Sequence, residues 1–254
     1  VSLFVIDDST PGEFLAVGAR GLELPPPHAR SYAGVAEPFP DELVIPRSEW
    51  QARIQELEQR GATIRDLADR GGIGVKDQQQ TNYCWINAPT FCVELARGLQ
   101  GQPYVPLSPA SAGAQIKGYR NVGGWGREGL EWIVANGVAP VSQWPANAID
   151  RRYATPDTLA NAKTYRIDEW WVLDDKSLDQ TISCVLRGHP VAVGYNWWSH
   201  EVTAVGAKWI DGAVALEIAN SWGAQWGDNG YGVIQGDRMT PDDAVTPRTA
   251  LIAA

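Results

Sequence analysis

The chain has 254 residues, with three cysteines, Cys84, Cys92 and Cys184, and three histidines, His28, His189 and His200. Any Cys–His chemistry must come from nine pairs. Cys84 follows the polar run Asp77-Gln78-Gln79-Gln80-Thr81-Asn82-Tyr83 and opens a segment with helical apolar spacing. At a helix start, unpaired N–H groups and the positive end of the dipole favour a thiolate. A small buried apolar residue is the competing reading of Cys84 taken alone. Cys92 and Cys184 fall among apolar helix positions and read as core. His200 heads the run His200-Glu201-Val202-Thr203-Ala204-Val205-Gly206, which reads as a strand, and Asn220 ends another. An amide oxygen bound to one ring nitrogen fixes an imidazole's tautomer and leaves the other nitrogen facing a nucleophile. Cys84, His200 and Asn220 therefore supply a nucleophile, a base and its orienting group. His28, in a proline-rich stretch, and His189, at a helix-to-strand junction, read as surface or capping residues.

The elements that must position these groups are legible from apolar spacing. Residues 1–47 read as an extended arm: a short apolar strand, a Gly-rich turn, then Pro25-Pro26-Pro27, Pro38, Pro40 and Pro46. Ser48-Glu49-Trp50-Gln51 has the form of a capping box, which predicts a helix over 48–59. Further helices are expected from Cys84 through Arg97, with Pro89 kinking it or limiting its first turn, and at 108–118, 127–136 and 176–187. Strands are expected at 165–172, 190–196, 202–206, 214–219 and 231–234. Helices first and strands later indicate an α+β protein with two segregated halves. The expected organisation is an arm with a short helix over 1–59 and a domain over 60–254, helical over about 75–160 and β over about 161–254.

Lys and Arg number 21 against 30 Asp and Glu, a net charge of −9. That sign argues against nucleic acid as a partner. No apolar run approaches the roughly 18 residues of a membrane span, and the N-terminal apolar stretch lacks a basic leader. Neither anchor nor signal peptide is expected. An odd cysteine count points to a reducing compartment such as the cytoplasm.

In combination these motifs resemble the papain-like cysteine peptidases. Asp77-Gln78 with Cys84-Trp85 is similar to the family segment that carries an oxyanion Gln six residues before the nucleophile. His200 with Val202 and Val205-Gly206 resembles the catalytic His strand. Asn220-Ser221-Trp222-Gly223, followed by Trp226-Gly227, Asn229-Gly230 and Tyr231, matches most closely. Leu107-Ser108 and Gly123-Gly124 also resemble family features. His200 and Asn220 follow Cys84 by 116 and 136 residues, in the family's order. The resemblance implies a two-lobed fold, helical on the left and β-barrel-like on the right, with the active site in the cleft between. It implies a Cys84–His200 pair oriented by Asn220, attack of Cys84 on a peptide carbonyl, and an acyl-enzyme hydrolysed by water. Gln78 and the Cys84 N–H would hold the oxyanion, at roughly 2.7–4 kcal/mol per donor. Trp222 would shield the Asn220–His200 bond, and Gly123 and Gly124 would admit a substrate strand. No metal or cofactor is implied.

Several positions depart from the family. Thr81, Asn82 and Tyr83 replace a cysteine and small residues before the nucleophile, and Tyr83 is expected to crowd the cleft. Glu201 stands where the family often has a small residue. It either forms an acidic wall that favours a basic substrate side chain or points to solvent. Two functions follow: a cysteine endopeptidase acting on peptides or proteins, or a papain-fold assembly component, for example of a phage particle, whose arm ties subunits into a homo-oligomer or larger assembly. The proline-rich arm and the Thr81-Asn82-Tyr83-Cys84-Trp85 motif, which resembles phage and bacterial outliers, motivate the second. Of 12 Trp, the motifs account for Trp85, Trp222 and Trp226, whereas Trp170-Trp171 and Trp197-Trp198 have no functional reading.

Overall fold

Each helix starts where a local signal permits it. In the computed structural model, which describes residues 3–12, 18–23 and 36–250, α1 (Arg47–Gln59) begins directly after Pro46 and buries only Trp50 and Ile54. Ser48 lies inside the first turn and no side chain caps this helix, so the expected capping box is absent. The capping box belongs to α2 (Ile64–Gly71), where Thr63 and Asp66 satisfy each other's backbone N–H groups. Long α3 (Cys84–Leu99) is buried from Cys84 to Arg97 and contains Pro89. Against it pack α4 (Pro109–Ile116) and α5 (Gly126–Asn136). Two later helices have hydroxyl caps: α6 (Pro156–Ala162) by Thr155 and α7 (Leu178–Leu186) by Ser177.

Among the described residues, eight strands form one sheet: β1 (Val5–Ile6), β2 (Ala36–Pro38), β3 (Ile167–Val172), β4 (Val191–Tyr195), β5 (His200–Ile210), β6 (Ala213–Ala219), β7 (Tyr231–Ile234) and β8 (Asp243–Ala250). Their order is β1-β7-β6-β5-β4-β8-β3-β2. Among the described residues this sheet is open rather than barrel-like. Its two edges are short strands from the N-terminal arm, β1 on β7 and β2 on β3, which pair on one side only. The arm is therefore built into the sheet at both ends.

Strand pleat sorts the core into two layers. On β4, Val191 and Val193 join the cluster containing Trp50, Ile64 and Ile182, on the side of α1, α2 and α7. Ala192 joins the other, with Trp85, Cys92, Leu130 and Val245, on the side of α3 and α5. The α3 layer carries the N-terminal end of its helix, and hence Cys84, to the sheet. Cys84, Cys92 and Cys184 are all free, buried thiols. His28 and Pro25-Pro26-Pro27 lie outside the described residues. Among those described, no helix is long and apolar enough to cross a membrane.

Candidate active site

The thiol of Cys84 sits in the first turn of α3, after Tyr83, and is fully buried. Burial pushes its pKa up, and the neighbouring Glu201 carboxyl adds to that. Backbone N–H groups of Glu201, Trp85 and Cys84 itself pull the other way. The thiol thus lies against the backbone of the residue next to His200. On β5, His200 is fully buried. Its Nε2 meets Asn220 Oδ1 at 2.8 Å, and its Nδ1 has no hydrogen-bond partner. Asn220 Oδ1 also accepts from the Ser221 N–H at 2.7 Å, which holds the amide in place. Burial, offset in part by Asn220 and reinforced by the charge of Arg20, pushes the His200 pKa down to about 4. Both shifts favour the neutral forms of thiol and imidazole.

An aromatic box surrounds the imidazole. Trp222 stacks on it with centroids 4.7 Å apart, and Trp198 meets it edge-on at 4.9 Å. Trp198 in turn packs on Trp222 and stacks with Trp197. The sequence reading had found Trp222 but missed Trp198, whose only signal was its place two residues before His200. Trp170 and Trp171 are core residues of β3.

Gln78 is fully buried between the halves. Ser221 Oγ donates to its Oε1 at 2.5 Å, while its Nε2 donates to the carbonyls of Thr81 at 2.7 Å and Ala19 at 3.1 Å. The Gln78 N–H reaches the Ser221 carbonyl, and the Asp77–Trp222 bridge ties the loop before Cys84 to the loop after Asn220. Deeper in the same region, Lys76 Nζ donates to Glu94 Oε1 and to the Leu107 carbonyl, and the Leu107 N–H donates to Glu94. Sequence reasoning passed over this buried pair because its members lie 18 residues apart on different elements.

The cleft is occupied by the chain itself. Residues 18–23 run through it: the Gly124 N–H donates to the Gly21 carbonyl at 2.9 Å, and the Glu23 N–H donates to the Gly124 carbonyl at 2.8 Å. Leu22 thereby makes a parallel bridge to Gly124. The Ala19 carbonyl takes the Gln78 amide and, at 2.9 Å, the Trp222 indole N–H. Two glycines make this close approach possible. At Gly18 (φ 104°) a Cβ would lie 2.5 Å from the Trp222 ring, and at Gly21 (φ 148°) it would overlap the Asn82 carbonyl. Gly123 is equally tight, since a Cβ there would come within 2.5 Å of the Gly21 carbonyl.

Two further expectations need correction. Tyr83 does not crowd the cleft: its ring packs edge-on against Trp85 and its hydroxyl donates to the Arg120 carbonyl, so it fills the helical half. Glu201 does not point to solvent, being only 1% exposed. Its side chain leaves β5 on the opposite face from that of His200, toward α3. His189 lies partly buried between α7 and β4, edge-on to Trp171.

With this geometry described, the relatives can be placed. No family model matches the chain. It is 25% identical over 178 residues to a cathepsin L-like proteinase of Phaedon cochleariae, covering 62% of this chain and 55% of that protein. To stem bromelain of Ananas comosus it is 26% identical over 186 residues, covering 65% of this chain and 84% of the relative. The chain spans about half the length of the first curated relatives it matches. Among solved structures, procathepsin L2 of Tenebrio molitor superposes with a TM-score of 0.68 at 18% identity, over 97% of this chain and 84% of that one. The fold is the α+β papain-like fold. In sequence the chain is similar to papain-like cysteine proteases, and its three cysteines are free thiols.

Proposed function

We propose that the chain is a cysteine peptidase held latent by its own residues 18–23, with Cys84 as nucleophile, His200 as base and Asn220 as the residue that orients it. One observation carries this reading: Asn220 ties up Nε2 of His200 and Nδ1 is left without a partner, while the buried Cys84 thiol meets the backbone N–H of the adjoining Glu201. Once the strap leaves, water and charge can reach both groups. The thiol then transfers its proton to Nδ1, attacks a peptide carbonyl and expels the amine, which takes the proton back. Water then hydrolyses the thioester. Gln78 Nε2, released from the Ala19 carbonyl, donates to the developing oxyanion together with the Cys84 N–H. Gly123 and Gly124 offer the substrate backbone the hydrogen bonds that the strap now uses, and Trp222 keeps water off the Asn220–His200 bond. The substrate is a peptide or protein, and the three unpaired thiols support a reducing compartment. A tether between subunits, as in a phage particle, draws no support from residues 18–23, which pair within the chain.

The test is labelling with an epoxide thiol inactivator, read by mass spectrometry, on the intact chain and on Gly21→Val, which cannot seat the strap. Cys84 alone should be modified, at least tenfold faster in Gly21→Val, and Cys84→Ala should abolish peptide hydrolysis. If Cys84 stays unlabelled in Gly21→Val, or Cys92 and Cys184 react equally, the proposal fails.

A further inference from the structure

The strap marks a recess whose floor is built by strand register. Gly194 on β4 pairs with Glu201 on β5 and, on its other side, with Asp243 on β8. Directly paired residues project to the same face of a sheet. Gly194 therefore leaves a gap with a carboxyl-bearing residue on each flank, on the face toward α3 and α5. Leu22 fills the gap: its two δ-carbons lie 3.2 and 3.3 Å from where a Gly194 Cβ would be, with the Asp243 Cβ 3.8 Å from the same point. Gly126 forms a further wall, and a Cβ there would overlap Glu201 Oε1.

The two carboxyl groups are not equivalent. Asp243 receives Arg127, with Nε and a terminal guanidinium nitrogen each 2.9 Å from Oδ1, and Asp175 lies 3.8 Å from that guanidinium on a half-exposed edge. Both oxygens of Glu201 are buried with no partner in good hydrogen-bond geometry, the Gly126 N–H only partly offsetting that burial. A buried carboxyl without donors is costly to ionise, and an aliphatic neighbour such as Leu22 gives it none. Among the described residues Arg127 meets Asp243, and no cation is paired with Glu201.

We infer that this recess is a specificity pocket for a lysine or arginine side chain of the substrate, with Glu201 as its determinant. The inference rests on the peptidase reading for its substrate, but not for its geometry. The residue concerned is the one that takes the place of Leu22 at Gly124. An ammonium or guanidinium entering there supplies the donors that both Glu201 oxygens lack and balances the second carboxylate. Leu22 is then a plug that fits the space while leaving the charge unmet.

Two measurements test this. In the first, Gly21→Val chains cleave peptides that vary only at the position pairing with Gly124. Lysine or arginine should exceed leucine at least tenfold in kcat/KM, and adding Glu201→Gln should bring that ratio to within about twofold. An unchanged ratio, or a preference for leucine, overturns the inference. The second needs no catalysis: iodoacetamide modification of Cys84 in intact chains. Leu22→Lys should hold the strap at least as firmly as Leu22 when Glu201 is present, and expose Cys84 at least tenfold faster when combined with Glu201→Gln. Equal exposure in both backgrounds overturns the pocket. If no peptide is cleaved while this second pattern holds, the peptidase reading fails and the pocket stands.

Discussion

Glu94 and Glu201 are both buried glutamates near the same thiol-bearing helix, yet their surroundings differ. Glu94, on α3, is 2% exposed and meets Lys76 and the Leu107 N–H through Oε1. Lys76 also holds the Leu107 carbonyl, so the pair ties α3 to the loop that leads into α4. Glu201, on β5, is equally buried and has no such partner. The first carboxyl is fastened into the scaffold. The second lies without such a fastening at the floor of a recess that Leu22 fills. Burial of charge is thus not a marker of one role, and the donors around the group decide which role it has.

The largest expected effect breaks the fastened side. Lys76→Met leaves the Glu94 carboxyl buried without its cation and should cost about 3–5 kcal/mol of stability, read from the urea midpoint. A loss under 1 kcal/mol would mean that Glu94 is no better anchored than Glu201.

Next in size is the pH response of the unfastened side. Burial and Asp243 raise the Glu201 pKa well above its ordinary value. The folded chain therefore keeps a proton that the unfolded chain releases above about pH 4.5, and stability falls as pH rises through that window. Glu201→Gln should flatten the fall by up to about 1.4 kcal/mol per pH unit, so its relative gain is larger at pH 8 than at pH 4.5. Urea unfolding at the two pH values checks this, and an identical slope in both chains would remove the contrast.

The smallest effect concerns the strap above the recess. Its Arg20 charge is a minor contributor, after burial, to the lowered pKa of His200. Arg20→Ala should raise that pKa from about 4 by less than about one unit, as measured by NMR titration of the imidazole. A buried imidazole with a lowered pKa favours the strapped state above the ordinary His range, and that advantage shrinks as pH falls toward 4.

Elements with a strong local pattern were readable in the chain. Helices α3, α4, α5 and α7 follow their apolar spacing, and β3, β4, β6 and β7 lie close to the expected runs. Strand β5 extends well beyond the expected 202–206, because Trp209 and Ile210 continue pairing with β6 past the irregularity between Ala204 and Gly206. Strand β8 was not expected. It carries Pro247, which cannot donate to a ladder, and its pairing with β3 shifts register between Glu169 and Trp170, beside that proline. Helices α2 and α6 are eight and seven residues long, too short for apolar spacing to stand out in the sequence, and both start at threonine caps, Thr63 and Thr155.

Residue type and local context in the sequence marked Cys84, His200 and Asn220 as a candidate nucleophile, base and orienting group, and the resemblance to the papain-like peptidases added Gln78 as the implied oxyanion donor. It also marked Glu201 as unusual. Tertiary structure decided that residues 18–23 lie in the cleft and that Leu22 stands over Gly194. It also put Glu201 and Asp243 on either side of that glycine. Periodicity reports which face of a strand is buried and is silent on which residue stands opposite. Register across β5, β4 and β8 is set by the packing of the whole sheet, and only that register turns two distant carboxyl groups into one recess.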